Sequence, residues 1–441
     1  MPPISRSIPL VRYTNGASEG PSSIDQRAPG ELGLLLTLAA VQFTHIVDFM
    51  IMMPLGPQFM RLFAIGPQAF GFLVSAYTFA AAASGFIAAF WIDRFDHKRA
   101  LLALYGGFIV ATALCGLASN YSLLLAARVV AGTFGGVIGG LVFAIVADAV
   151  PYRRRARATA VVAASFSLAA VAGVPLAIWL AVHFSWRAPF LVLAATSIGV
   201  GIAAMRLLPP LRAHLAHVQR RHPIEQLRAI FGVPNHLRAF AFMIALMFAG
   251  FTVIPFIAPY NVANVGVSES DLAVIYFVGG LCTLFTAQIF GRLADRRGKK
   301  RIFTLLALVS VVPILITTHL PRLPLVAVVP LAALFFIFVT GRFGPAMALI
   351  TGSVEPRLRG SFMSFNASIQ QLGSGLAAMT AGLIIGRAPD GSLTHYGAVG
   401  WLAVGCTLLC AWLAHQIRVV GDDGSRAPPG PSDVAPTRPS R

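Results

Sequence analysis

The sequence predicts an all-α integral membrane protein with twelve transmembrane helices in two pseudo-symmetric six-helix bundles. Apolar residues make up 57% of the 441 residues and charged residues only 11%, whereas soluble domains are about 25% charged. Apolar runs of about 20 residues, the length that crosses a bilayer, recur along the chain. A basic motif at residues 291–301 has a divergent copy at residues 89–99, 202 positions earlier (295 − 93). This recurrence indicates that the two halves are similar.

The predicted helices are separated by short loops. Their ranges are 32–55, 68–91, 100–119, 121–149, 159–183, 188–208, 238–263, 271–293, 302–320, 323–349, 361–386 and 396–417. The first bundle is therefore predicted at 31–208 and the second at 238–418, with a basic cytoplasmic linker at 209–237. The polar stretches 1–30 and 419–441 are predicted to be disordered cytoplasmic tails.

The charge balance indicates the orientation of the chain in the membrane. Lys and Arg number 34 against 16 Asp and Glu, an excess that also occurs in nucleic-acid-binding proteins. Here the basic clusters fall in every second loop, while the loops near 117–121, 262–271 and 387–395 are poor in cations. This positive-inside pattern predicts a multi-pass protein of the cell (inner or plasma) membrane with both termini in the cytoplasm, and no nucleic-acid partner.

The basic motif predicts polar contacts between the cytoplasmic ends of neighbouring helices. An Asp at one helix end accepts hydrogen bonds from the first amides of a neighbouring helix, and nearby cations pair with acids. The alternative is that these cations only determine topology. The first copy has Ala89 and Asp96 where the second has glycines, and Asp tolerates a left-handed turn, so we expect that turn to be kept. The residues predicted to form or position these contacts are Asp93, Arg94, Asp148, Gly291, Asp295, Arg296, Gly298, Lys299, Arg301 and Glu355.

With these motifs the chain resembles the major facilitator superfamily, in its drug:proton antiporter-like branch, over residues 31–418. The resemblance is also carried by Arg128 with Gly132, by Gly173-Val174-Pro175, and by residues 186–190. At 173–175 the Gly-Pro dipeptide of the antiporters is absent. The resemblance implies two six-helix bundles, transport by alternating access, and a latch function for the basic motif. It also implies that the first and fourth helices line a central cavity.

Three formal charges lie well inside the predicted helices: Asp48, Arg128 and Arg342. Each costs at least about 2.5–3.5 kcal/mol at the bilayer centre. Asp48 lies seven residues before the end of an outward-running helix, and Arg128 seven residues after the start of an inward-running one. Both are therefore about 10 Å below the outer surface, which predicts an Asp48–Arg128 ion pair. The pair either couples transport to protons or fixes the first helix against the fourth.

Polar residues near these charges are further candidates for the site. His45 lies one helical turn before Asp48 and shares its face with Gln42, so His45 either relays protons or is a satisfied buried histidine. Arg342 has no acid at its own depth, and it either binds an anionic substrate group or reaches Glu355. The other candidates for the substrate cavity are Tyr77, Asn366 and Gln370.

Taken together, the sequence predicts a secondary transporter that exports a small, largely apolar or sugar-like compound in exchange for protons. Its predicted partners are the substrate, protons and the lipid bilayer, and we expect a monomer. The alternatives are a facilitator or proton symporter that imports a solute, and a non-transporting receptor. The sequence contains no phosphate-binding loop, catalytic nucleophile motif or metal-ligand cluster, so we predict neither an enzyme nor a cofactor nor a metal site.

Overall fold

The computed structural model describes residues 31–211 and 223–420, so the predicted tail 1–30, most of the predicted tail 419–441 and linker residues 212–222 lie outside the described residues. The first half comprises α1 (Glu31–Met50), α2 (Gly56–Leu62), α3 (Pro67–Trp91), α4 (His97–Leu117), α5 (Tyr121–Ala149), α6 (Tyr152–Leu168), α7 (Val174–His183) and α8 (Ala188–Leu207). The second half comprises α9 (Pro223–Phe231), α10 (Pro234–Phe251), α11 (Ile257–Tyr260), α12 (Leu272–Arg297), α13 (Lys299–Thr318), α14 (Leu325–Gly341), α15 (Phe343–Gly352), α16 (Arg359–Ile384) and α17 (Tyr396–Gln416). A short antiparallel hairpin, β1 (Gly386–Arg387) with β2 (Leu393–Thr394), precedes α17.

These helices confirm the predicted twelve-helix architecture. Among the described residues, eleven helical stretches are long and apolar enough to cross a bilayer. The remaining crossing is α16, which has 26 residues, a length of about 39 Å at 1.5 Å per residue. Its polar residues, including Asn366, Gln370 and Gln371, lower its hydropathy. Each half thus supplies six crossings.

Proline residues explain where crossings are irregular. The predicted helix 32–55 ends at Met50, four residues before Pro54, because proline lacks an N–H and crowds the preceding turn. Between α6 and α7, residues Ala169–Gly173 form a π-helical turn directly before Val174 and Pro175. Pro175 would crowd the carbonyl of Val171, four residues earlier, and the wider turn relieves that contact.

Small residues form the contacts between the two halves. A β-carbon on Gly71 of α3 would lie 2.9 Å from the carbonyl oxygen of Ala378 in α16 and 3.0 Å from the Cα of Gly382. A β-carbon on Gly280 of α12 would lie 2.8 Å from the carbonyl oxygen of Ala170 in the π-helical turn. Helices in membranes associate through such small residues because they allow close backbone approach. The halves therefore meet along α3–α16 and α7–α12.

The halves are packed together most fully at one face of the molecule. We call the ends of the bundles near residues 92–96 and 298 the basic face, and the other ends the outer face. At the outer face Phe70 of α3 packs edge-on against Phe256 at 5.5 Å between ring centroids, and one hydrophobic core contains residues of both halves. Towards the basic face, one core lies within the first half, and another is formed by the second half with Phe86 and Phe90 packed against it. The outer face is thus the closed one.

The first copy of the basic motif folds differently from the second. Gly298 in the second copy has a φ of 94°, in the region that favours glycine. Asp96 at the corresponding position has a φ of −58° and accepts hydrogen bonds from the N–H groups of Lys98 (2.9 Å) and Arg99 (3.4 Å). Asp96 is therefore the N-cap of α4. The expectation that it keeps a left-handed turn is wrong, because its carboxylate caps the helix directly.

We predict that Asp96→Ala lowers the free energy of unfolding by about 1 kcal/mol, the usual contribution of an N-cap. Asp96→Asn is the matched control, because its amide oxygen retains the capping acceptor. Unfolding of the purified variants by titration with sodium dodecyl sulfate measures the difference. Equal destabilisation by the two substitutions would show that the charge of Asp96, and not its capping hydrogen bonds, stabilises this turn.

Candidate functional site

The centre of the first bundle contains a fully buried ion pair. The Nη1 atom of Arg128 in α5 donates to Oδ2 of Asp48 in α1 at 2.7 Å, and the two side chains are 1% and 0% exposed. Thr112 of α4 donates to the other carboxylate oxygen at 3.1 Å. The guanidinium carbon of Arg128 lies 4.3 Å from the ring centroid of Tyr77. Both charges are therefore compensated within the bundle, through a charge-assisted hydrogen bond and a cation–π contact.

Glycines in α5 allow this arrangement. A β-carbon on Gly132 would overlap the backbone carbonyl of Tyr77, and one on Gly136 would overlap that of Ala81. Only glycine lets α3 and α5 approach so closely. Gly132, one helical turn after Arg128, thus lets the Tyr77 ring lie over the guanidinium. The sequence motif Arg128 with Gly132 therefore has a structural reason.

Three polar side chains surround the next turns of α5. A β-carbon on Gly135 would overlap the Tyr77 hydroxyl and would lie 3.2 Å from Cδ2 of His45. One on Gly139 would lie 3.8 Å from Cε1 of His45 and 3.9 Å from Nε2 of Gln42. Gln42 and His45 precede Asp48 in α1, which starts at the basic face. They therefore lie between the ion pair and that face.

Several polar atoms of these side chains have no hydrogen-bond partner among the described residues. They are Oε1 of Gln42, both ring nitrogens of His45 and the hydroxyl of Tyr77. Buried polar atoms are normally paired, and each unpaired one costs about 1–3 kcal/mol. The backbone carbonyl of Gly135 interacts with the His45 ring without the geometry of a full hydrogen bond, so both interpretations of His45, as a proton relay and as a satisfied buried histidine, stay predictions.

A second buried arginine, Arg342, lies in the second bundle. It interrupts the tenth crossing between α14 and α15 and is 1% exposed. Its guanidinium donates to Ser310 (3.1 Å), Thr407 (3.0 Å) and the backbone carbonyl of Ala249 (2.9 Å). These acceptors are neutral, whereas Arg128 in the first bundle binds a carboxylate. Arg342 thus binds α10, α13 and α17 of its own bundle.

The remaining cavity candidates lie on α16. Asn366 is 0% exposed, and neither atom of its amide has a partner in the described part of the chain. Gln370 and Gln371 are half-buried. No described contact brings these residues to the Asp48–Arg128 pair, so the structure places them on a separate helix of the second half.

The predicted latch residues are dispersed at the basic face. Asp148 accepts from Nδ1 of His97 at 2.8 Å, and Glu355 pairs with Arg357, two residues later, at 2.6 Å. The Arg94 guanidinium lies 4.6 Å from the Trp91 ring, and the side chain of Asp93 is outside the described residues. In the second copy Gly291 is half-buried, and the exposed members are Asp295, Arg296, Gly298, Lys299 and Arg301. In this conformation Glu355 therefore pairs with Arg357 of its own loop. The prediction had paired it with the cations of residues 291–301 or with Arg342.

A charged contact between the halves is found at the outer face. Arg61 of α2 forms a bidentate pair with Glu269, which lies just before α12. The hydrogen bonds to Glu269 raise the pKa of Arg61 above its usual value, so Arg61 stays charged over the accessible pH range. This pair was not predictable from the sequence, because nothing in the two loops indicates that α2 lies beside the residues before α12.

We predict that Glu269→Gln shifts the conformational equilibrium towards the state that is open at the outer face. The shift should be at most about fivefold, because the Arg61 side chain is 64% exposed and exposed ion pairs contribute little to stability. Distances between spin labels at Leu62 and Ser270, measured by pulsed electron paramagnetic resonance, report the shift. High salt should move the wild type in the same direction. A larger shift in Arg61→Gln than in Glu269→Gln would indicate a role for Arg61 outside the pair.

Comparisons with known proteins agree with this architecture. The family model described as Major Facilitator Superfamily matches residues 38–378 and 239–438. An uncharacterized MFS-type transporter, YceJ of Bacillus subtilis, is 25% identical over 370 residues, 83% of this chain and 91% of that protein. A probable sugar efflux transporter of Helicobacter pylori is 24% identical over 230 residues, 52% of this chain and 58% of that protein. The fold is similar to that of a bacterial homologue of the human lysosomal transporter Spinster, solved in an inward-facing, occupied conformation. The TM-score is 0.71 at 16% sequence identity, and the alignment covers 89% of this chain and 97% of that one.

Proposed function

Because the chain belongs to the major facilitator superfamily and is thus a membrane transporter, we propose that it exports a small, largely apolar or sugar-like solute in exchange for protons. In this proposal it works as a monomer in the cell (inner) membrane, with both termini in the cytoplasm. The basic face is then cytoplasmic, and the conformation closed at the outer face is the inward-facing one.

The buried Asp48–Arg128 pair carries this proposal. Asp48 is the only acid of the sequence within a membrane crossing and away from its ends. Arg128 and Thr112 donate hydrogen bonds to its two carboxylate oxygens. A proton that reaches Asp48 removes its attraction for Arg128, so protonation and the packing of α1 against α5 are linked. His45 and Gln42 lie on the side of Asp48 that faces the basic face.

The name of one relative supports export, whereas residues 173–175 lack the Gly-Pro dipeptide of the antiporters. One relative is named a probable sugar efflux transporter. At the basic face we propose that residues 291–301, Arg94, Asp148 and Glu355 act as a latch that exchanges partners when this face closes.

Reconstituted transport tests the proposal. The purified protein in liposomes with an imposed pH gradient should move solutes from a panel of dyes and sugars against the proton flow, and each solute added should release protons. Cotransport of solute and protons in the same direction would instead indicate a symporter, and flux that is independent of the gradient a facilitator. The complete burial of the Asp48–Arg128 pair suits a static pair in a facilitator. Ligand binding without any flux would indicate a receptor.

A further inference from the structure

We infer that Gln42, His45 and Tyr77 form a subsite that binds the hydroxyl or amide group of an uncharged solute. This inference rests on the proposed transport function and specifies its substrate class. A β-carbon on Gly135 would meet Tyr77 and His45, and one on Gly139 would meet His45 and Gln42. The imidazole, amide and phenol therefore lie along one face of α5, on which Gly135 and Gly139 are one helical turn apart.

The unpaired atoms indicate a ligand that forms hydrogen bonds. Tyr77 is 0% exposed and Gln42 and His45 are each 9% exposed, yet the described residues offer no partner to Oε1 of Gln42 or to the Tyr77 hydroxyl. His45 has only the nearby backbone carbonyl of Gly135, which does not reach the geometry of a full hydrogen bond. An amide oxygen accepts, whereas a neutral imidazole and a phenol each donate and accept. This mixture matches a hydroxyl or amide group, which also donates and accepts. A ligand with such groups would satisfy atoms that the protein leaves unpaired.

The charges of the site exclude ionic solutes. A cation would need a free acid, but Asp48 is bound by Arg128 and Thr112. An anion would need a free cation, but Arg128 is paired with Asp48, and Arg342 donates to three groups within the second bundle. An ion in the subsite would therefore be desolvated without a partner, which is much more costly than burial of a hydrogen-bonded neutral group.

Matched ligands test the inference in binding experiments. Glucose, glucosamine and glucuronate share one scaffold, as do benzamide, benzylamine and benzoate, and each set contains a neutral, a cationic and an anionic member. Isothermal titration calorimetry with the full-length purified protein should show that a neutral member binds at least about tenfold more tightly than its charged counterparts. Tighter binding of a charged member, or binding of no neutral member, would overturn the inference.

Point variants locate the subsite. Tyr77→Phe removes the unpaired hydroxyl and keeps the ring over Arg128, and Gln42→Leu removes the amide. Each should weaken binding of the neutral ligand by up to about tenfold. Tyr105→Phe is the matched control, because the Tyr105 hydroxyl already pairs with Thr44 at 2.8 Å, and it should leave the affinity unchanged. Equal affinity in Tyr77→Phe, Gln42→Leu and wild type would place the ligand elsewhere.

These experiments separate the subsite from the transport proposal. Neutral solutes that bind without proton exchange would contradict proton coupling and leave the subsite intact. Charged solutes that are exchanged for protons would support the transport proposal and contradict the subsite.

Discussion

Asp48→Asn should abolish proton-driven flux, to the level of protein-free liposomes, because it removes the one acid that lies deep within the membrane crossings. The substitution keeps the shape of the side chain but cannot ionise. It also leaves the Arg128 guanidinium, 1% exposed, without a countercharge. Breaking a buried pair in this way costs about 3–5 kcal/mol, so we also expect a lower yield of folded protein.

The double variant Asp48→Asn/Arg128→Gln separates coupling from folding. It removes both charges, so the cost of an unpaired buried charge, which makes the single variant unstable, does not arise. We expect folded protein that binds solute and has no gradient-driven flux. Flux assays and solute-dependent proton release on the same preparation measure both properties. Gradient-driven flux equal to that of the wild type would show that the pair only fixes α1 against α5.

The features of this protein that follow from the sequence are those determined by the bilayer. Crossings are recognisable because about 20 apolar residues are needed to span the hydrocarbon. The contact between Asp48 and Arg128 was predictable for the same reason, since each buried charge needs a partner and the helix rise gives its depth. The proton-coupling function of that contact remains a proposal.

Hydroxyl partners and backbone carbonyls were not predictable. Thr112 donates to the buried Asp48, and Ser310 and Thr407 accept from the buried Arg342. Ser and Thr are common in membrane helices, however, and many bind their own helix, as Thr340 does. For Arg342, the sequence offered Glu355 or an anionic ligand, and the structure shows neutral acceptors. His97 as a partner of Asp148 could have been found, because it stands at the position of Lys299 in the repeated motif.

The contacts between the halves suggest where alternating access can be blocked. The outer face is closed by backbone-to-backbone contacts of α3 and α16, which cannot adjust as flexible side chains do. By contrast, the exposed Arg61–Glu269 pair on the same face can open at small cost. Substitutions at the glycines should therefore have much larger conformational effects than substitutions of the ion pair.

Gly382→Leu should hold the outer face open. A β-carbon at Gly382 would lie 2.9 Å from the carbonyl oxygen of Pro67 and 3.1 Å from the Cα of Gly71, so the leucine side chain would force α16 away from α3. Such overpacking costs about 1–3 kcal/mol. This cost applies only while the face is closed, and it corresponds to a shift of about 5- to 150-fold towards the open state.

Spin labels at Leu62 and Ser270, in a variant without the four native cysteines, should show a longer distance in Gly382→Leu than in the parent, together with slower transport. Gly66→Leu is the matched control, because a β-carbon on Gly66, at the same end of α3, meets nothing within 4 Å. Its distance distribution and flux should equal those of the parent. An unchanged distance in Gly382→Leu would show that the contact between α3 and α16 is not needed to close the outer face. The contact between α7 and α12 would then close this face alone.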